Sequence, residues 1–208
     1  PMTKIVAISD THKKHRKLKI PDGDILMHAG DITSRGSLDD LLDFNEWLGE
    51  LPHKYKIIVA GNHDFCFQNE AVEAQKLITN GIYLQDQMIT LFGLKIYGSP
   101  WQPWFFDWAF NLKRGAEIKS KWDLIPKDTD VLITHGPPMK ILDKTVMKKN
   151  VGCEELLKKV FEIKPKAHIF GHIHEEYGSL IKENIIFVNA SSCTHSYQAI
   201  NKPIEIEI

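Results

Sequence analysis

The sequence predicts an α/β fold built in layers, and three observations carry that prediction. Short, mostly apolar segments at 4–8, 25–28, 56–60, 131–134 and 167–170 run without alternation, as strands covered on both faces do. Helix-like periodicity separates some of them, and the later segments pair as hairpins. Mixed βαβ units and hairpins imply two sheets with helices outside.

Taken in order, the first strand, 4–8, stops at Ser9-Asp10, and the second, 25–28, stops before Gly30-Asp31. Ser37 is placed to cap a helix carrying Leu38, Leu41, Leu42, Trp47 and Leu48 on one side. The third strand, 56–60, ends at Gly61, and a helix is expected over about 69–80. Segments 88–92 and 94–97 read as a hairpin around Gly93. After the strand 131–134, a helix follows Gly152 with Leu156, Leu157, Val160 and Phe161 on one side. Strand 167–170 is followed by a hairpin of 178–182 with 185–189 around Glu183-Asn184. The last segment, Ile204-Glu205-Ile206-Glu207-Ile208, alternates as a half-buried strand should.

A chain of 208 residues, 43% of them hydrophobic, is expected to form one domain over 1–208. No internal repeat or low-complexity stretch interrupts it. No apolar run approaches the ~18 residues a membrane span needs. Pro1 ahead of Met2 reads as a remnant of tag removal, and the first strand is too short for a signal peptide. Cys66, Cys153 and Cys193 are odd in number and unspaced as pairs, which predicts reduced thiols and a cytoplasmic protein. A net charge of −1 argues against an extended nucleic-acid surface. The local run Lys13, Lys14, His15, Arg16, Lys17 reads first as a solvated loop, and alternatively as an attractor for an anionic substrate.

Polar clusters sit where strands end. Asp10-Thr11-His12, Gly30-Asp31, Gly61-Asn62-His63-Asp64, His135-Gly136 and Gly171-His172-Ile173-His174 each follow a predicted strand. The carboxyl ends of strands in α/β sheets are where ligands bind, because the loops converge there. Each cluster alone is an ordinary polar turn; five in order at strand ends are not. Imidazoles and carboxylates without cysteine disfavour structural zinc and favour manganese, iron, zinc or nickel in a catalytic site. Asp10, His12, Asp31, Asn62, His135, His172 and His174 are too many for one ion and suit two divalent ions sharing a carboxylate.

The order Asp-x-His, Gly-Asp, Gly-Asn-His-Asp, His-Gly, Gly-His-x-His over residues 10–174 resembles the calcineurin-like metallophosphoesterase superfamily. The flanking Ala29-Gly30-Asp31-Ile32-Thr33, Gly98-Ser99-Pro100-Trp101-Gln102-Pro103 and Asn189-Ala190-Ser191-Ser192-Cys193 are similar to the animal metallophosphoesterase-domain proteins and their microbial relatives. The resemblance implies a four-layer α/β/β/α sandwich. It also implies that Asp10, His12 and His174 hold one metal, Asn62, His135 and His172 the other, and that Asp31 bridges them. His63 would not ligate; it would face the leaving group, oriented by Asp64. Some animal members carry Gly in place of the first His of the last motif; His172 is present here, which predicts full loading.

The expected reaction is hydrolysis of a phosphate ester by a hydroxide held between two ions, manganese foremost in vitro, with His63 protonating the departing oxygen. The resemblance implies a phosphodiesterase, and a small nucleotide or cyclic-nucleotide diester is the expected substrate. A phosphomonoesterase or protein phosphatase of the same fold is the alternative, and a DNA-repair nuclease would need segments this chain lacks. A non-catalytic protein-binding scaffold would show damaged ligands, and none is damaged. Among flanking residues, Arg35 reads equally as a phosphate clamp or a surface ion-pair partner. Trp101 and Trp104, within an aromatic run to Phe110, read as packing or a lid, or as a base-stacking wall. His28 and His168 are expected in the core and His15 and His53 at the surface, with His195 a remote candidate for the site.

Overall fold

The computed structural model describes all 208 residues, Pro1–Ile208. The chain runs β1 (Lys4–Ile8), β2 (Ile25–His28), α1 (Leu38–Glu50), β3 (Tyr55–Ile58), α2 (Cys66–Asn69) and α3 (Ala71–Leu77). It continues through β4 (Ile82–Tyr83), β5 (Gln87–Leu91), β6 (Leu94–Ser99), β7 (Gln102–Pro103), β8 (Asn111–Leu112) and α4 (Ala116–Trp122). The last elements are β9 (Val131–Thr134), α5 (Glu154–Ile163), β10 (Ala167–Phe170), β11 (Gly178–Lys182), β12 (Ile185–Asn189) and β13 (Ile204–Glu207).

Two mixed sheets result, ordered β13-β1-β2-β3-β4 and β11-β12-β10-β9-β6-β5. In each, the inner strands run parallel, and β13, β5 and β11 pair antiparallel at the edges. The unbroken apolar runs have the meaning the sequence predicts. Ile5, Ala7, Ile25 and Met27 face Ile96, Ile133 and Ile169 across the space between the sheets. Val6, Ile8 and Leu26 point outward under Leu41, Phe44 and Leu48 of α1. On the opposite side Leu132, Phe170 and Phe187 pack under Trp122 of α4 and Val160 of α5. The architecture is therefore helix, sheet, sheet, helix, and the inner strands β1, β2, β9 and β10 bury both of their faces.

Ser37 caps α1, its hydroxyl accepting from the Asp40 N–H at 3.5 Å. The helix expected over about 69–80 is the shorter α3, Ala71–Leu77, and Glu70, outside the helical region at φ −130° and ψ 45°, separates it from α2. Helix α4 was not expected from the sequence: only Ile118 and Trp122 are buried in its seven residues, too few to show a period. His15 and His53 correct the surface expectation, with 1% and 3% exposure. His15 lies 2.8 Å from the Asp43 carboxylate with its ring against Phe44 and Trp47. His53 meets the Pro21 carbonyl at 2.8 Å. The basic run around His15 is tied down as well, with Lys13 on Asp40 and Arg16 on Asp43 and Glu50. Cys66, Cys153 and Cys193 are buried and unpaired. No helix is long and apolar enough to cross a membrane.

Candidate metal centre

Parallel β1, β2 and β3 end at the same level, and so do parallel β9 and β10, so their loops meet along one edge shared by the two sheets. Backbone bonds stitch this edge: Asp10 N–H donates to Gly30, Gly171 N–H to His135, and Ser192 N–H to Ser9. All seven candidate ligands lie there. Asp10, His12 and His174 form one group whose ligand atoms lie within 4.8 Å of one another, and Asp31, His135 and His172 form another. Asn62 joins the second through its side-chain oxygen, 2.8 Å from His135 Nε2.

Asp31 stands between the groups. Its Oδ2 is 3.3 Å from His135 Nε2, 3.8 Å from His12 Nε2 and 3.9 Å from His63 Nε2. Its Oδ1 accepts the His63 N–H at 2.8 Å. Asp10 divides its oxygens in the same way. Oδ2 accepts from the Ser9 hydroxyl at 2.6 Å and the His172 N–H at 2.9 Å, while Oδ1 faces His174 Nε2 at 3.1 Å.

The backbone is strained to achieve this convergence. Asp10, His12, Asp31 and His172 all have left-handed φ, between 42° and 71°, a conformation costing about 1–3 kcal/mol at each such residue and concentrated at functional sites. Two glycines are required for close approach rather than for turning. A Cβ on Gly171 would fall 2.1 Å from Asp10 Oδ2, and one on Gly61 would fall 2.3 Å from Asp31 Oδ1.

The residues fit divalent cations. His135 directs Nδ1 to the Ala29 carbonyl at 2.8 Å, and His174 directs Nδ1 to the Thr194 carbonyl at 3.0 Å. Each Nε2 is thereby aimed at the carboxylates, the arrangement that orients metal-binding imidazoles. Burial opposes charge on both rings, yet Asp31 and Asp10 raise His135 and His174 to about 9. Burial lowers His12 to about 4 and His172 to about 3, so both present neutral rings. A buried pocket that draws protons onto two imidazoles has a surplus of negative charge for cations to neutralise.

Asp64 makes no hydrogen bond to the His63 side chain, contrary to expectation. Its carboxylate accepts from the N–H groups of Asp31, Ile32, Thr33 and Gly61 and from the Thr33 hydroxyl. It therefore locks the loop that carries Asp31, while burial and the Asp31 charge push it up to about 6. The His63 ring is held instead by the Ser34 carbonyl, 2.8 Å from Nδ1, and by Trp108 stacked on it with centroids 4.3 Å apart.

A cleft of about 200 Å³ opens over Asp31, Asn62, His63, His172 and His174, walled by Phe105, Trp108, Glu175, His195 and Tyr197. Of the flanking residues singled out in the sequence, Arg35, Trp101 and Trp104 are not on this wall. Arg35 sits behind Trp108, 5.4 Å from its ring. Trp101 is half-buried, with its indole N–H on Asp86 at 2.8 Å. Trp104 borders a neighbouring cavity. Trp108 belongs to the aromatic run read as a possible stacking wall, but its position gave no reason to prefer it. Tyr197, packed edge-on against His12 at 4.9 Å, carried no motif at all.

Two stacked sheets with a shared His/Asp edge define a metallophosphoesterase. Residues 3–176 match the model of the calcineurin-like phosphoesterase family, and the chain belongs to that family. It is 46% identical to human metallophosphoesterase domain-containing protein 1 over 99% of this chain and 71% of that protein. It is 41% identical to a UPF0046 protein of Caenorhabditis elegans over 98% of this chain and 74% of the relative. Among solved structures, TT1561 of Thermus thermophilus shares the fold with a TM-score of 0.61 at 17% identity, covering 91% of this chain and 89% of that one. A structure described as a novel archaeal phosphodiesterase aligns with a TM-score of 0.50 at 14% identity, over 99% of both chains. The chain is thus a phosphoric ester hydrolase of a fold that works with divalent metal ions.

Proposed function

We propose that the chain is a phosphodiesterase for small nucleotide or cyclic-nucleotide diesters, working with two divalent cations. Asp10, His12 and His174 would hold one and Asn62, His135 and His172 the other, with Asp31 shared. The observation that carries this reading is the Asp31 Oδ2 atom, which lies 3.3–3.8 Å from imidazole nitrogens belonging to both groups. Manganese is the first ion to test, with iron, zinc and nickel as alternatives. When bound, such cations supply a water activated near neutral pH and charge to offset that of the phosphoryl group.

The protein groups do the rest. Asp64 and the Ser9 hydroxyl keep the two carboxylates fixed, so the donor set needs no rearrangement during the reaction. His63, as imidazolium, keeps Nδ1–H on Ser34 and donates Nε2–H into the cleft to the departing alkoxide. The cleft is small, and Phe105 and Tyr197 line it with aromatic rings, which suits a nucleotide better than a phosphoprotein.

The test is a panel of nucleotide monoesters, linear diesters and cyclic diesters, each assayed with manganese, iron, zinc and nickel. Diesters should be turned over fastest, and Phe105→Ala should raise KM for nucleotide diesters by about tenfold, within the ~1–3 kcal/mol of one stacked base. Monoesters outpacing every diester would overturn the assignment.

A further inference from the structure

A second cavity of about 270 Å³ adjoins the metal cleft and shares Phe105, His172 and Glu175 with it. The rest of its wall comes chiefly from the segment around β7 and β8, with Trp104, and from the long β9–α5 connection, with Pro137 and Val151. Asn62, His63 and Trp108 border the first cleft and not this one. An ester group seated here would therefore lie away from His63, the proton donor to the leaving group.

The charges around the cavity are as informative as its shape. The guanidinium of Arg114 is already committed, to the carbonyls of Gly152 and Val151 and to the Glu154 carboxylate at 2.8 Å. It offers no free cation to an anionic group. Glu175, on the wall between the two spaces, forms no ion pair or hydrogen bond and is exposed. A carboxylate with no partner beside a phosphate position disfavours a second negative charge there.

We infer that this cavity binds the ester group retained on phosphorus, an uncharged and largely apolar or flat alcohol such as a nucleoside. Glu175 selects singly charged diesters over doubly charged monoesters. In a monoester the second anionic oxygen occupies the position of the retained ester oxygen and points toward Glu175. The inference rests on the diesterase reading and deepens it by dividing the substrate between two spaces.

Three p-nitrophenyl esters with one leaving group test it: thymidine 5′-(p-nitrophenyl phosphate), methyl p-nitrophenyl phosphate and p-nitrophenyl phosphate, assayed with manganese. Val151→Trp and Thr145→Trp fill the cavity from two positions on the connection between β9 and α5. Each should lower kcat/KM for the thymidine ester by about tenfold or more, chiefly through KM, as crowding of an apolar pocket does. The methyl ester should change less than about twofold, and manganese content should stay at the wild-type level. Glu175→Gln should raise kcat/KM for the monoester relative to the methyl ester by about fivefold, the effect of one charge about 4 Å away in water. Equal losses on the thymidine and methyl esters, or no loss on either, would overturn the cavity assignment. An unchanged monoester-to-methyl-ester ratio in Glu175→Gln would overturn the role of Glu175. A wild-type protein that hydrolyses the monoester and neither diester would overturn the diesterase reading itself, before any variant is made.

Discussion

The two sheets contribute to the same edge in different ways. The first, through the ends of β1, β2 and β3, supplies both carboxylates, and its Asp10, His12 and Asp31 all sit at left-handed φ. The second, through β9 and β10, supplies imidazoles alone, and of these only His172 is strained. The carboxylates are embedded in donors, as buried anions must be. Each second-sheet ring with a mapped partner is steered by one carbonyl, as for His135 and His174. One side is a rigid anion cradle, and the other a set of aimed imidazoles.

A histidine–threonine pair braces each side, again differently. His28 accepts the Gly30 N–H at 3.1 Å on Nδ1 and so donates from Nε2 to the Thr11 hydroxyl at 2.9 Å, joining the two loops that carry the carboxylates. His168 meets the Thr134 hydroxyl at 2.8 Å, and that hydroxyl donates to the Gly136 carbonyl, so this brace reaches only the loop following its neighbouring strand. His168 Nδ1 is left without a partner.

The most severe way to break the comparison is to neutralise the shared carboxylate. Asp31→Asn should lose both cations and reduce activity to background, whereas His174→Ala should lose chiefly one; metal analysis after saturation with manganese distinguishes them. A single ion in the wild-type protein would sink the shared-carboxylate arrangement.

Next in size is His63→Ala. Turnover should fall by ~10²–10⁴ while metal content is unchanged, since this ring is assigned the proton rather than a cation. The loss should shrink on p-nitrophenyl esters, whose leaving group needs little protonation. A loss of the same size on alkyl and nitrophenyl esters would remove His63 as the acid.

The braces give a smaller, sharper contrast. Thr11→Val should weaken manganese binding ~10–100-fold, the scale typical of groups that position ligands. Thr134→Val should weaken it less, because it touches one loop. Calorimetric titration of both variants checks the order, and a reversed order would place the rigid side on the wrong sheet.

The mildest test uses pH. In metal-stripped protein His135 and His174 lie near 9, raised above the 6.5 of an unfolded histidine by Asp31 and Asp10 despite burial. A raised folded value adds stability that is complete below about pH 6.5 and lost as pH climbs through about 9. The Tm of the stripped protein should therefore fall across that window, and manganese affinity should rise over it as protons leave the two rings. A stripped protein whose Tm climbs between pH 6.5 and 9 would show that the carboxylates do not charge those rings.

Much of this was present in the one-dimensional pattern. A strand buried on both faces must be apolar throughout, and a parallel strand must release its loop at the carboxyl edge. Continuous runs ending in Asp10, Asp31, Asn62, His135 and His172 therefore announced both the layers and the position of the candidate metal centre. These signals are local, because strand, turn and ligand are within a few residues of one another. The tertiary structure decided what depends on distant segments meeting. It brought Trp108 and Tyr197 to the cleft from loops without a motif, seated the candidate His195 there, and left Trp101 bonded to Asp86. It turned Asp64 from His63 toward the Asp31 loop, a choice between two polar partners that the sequence did not rank. It buried His15 beneath α1 although charged neighbours surround it in the chain, because a helix packed across a loop leaves no period in that loop to read.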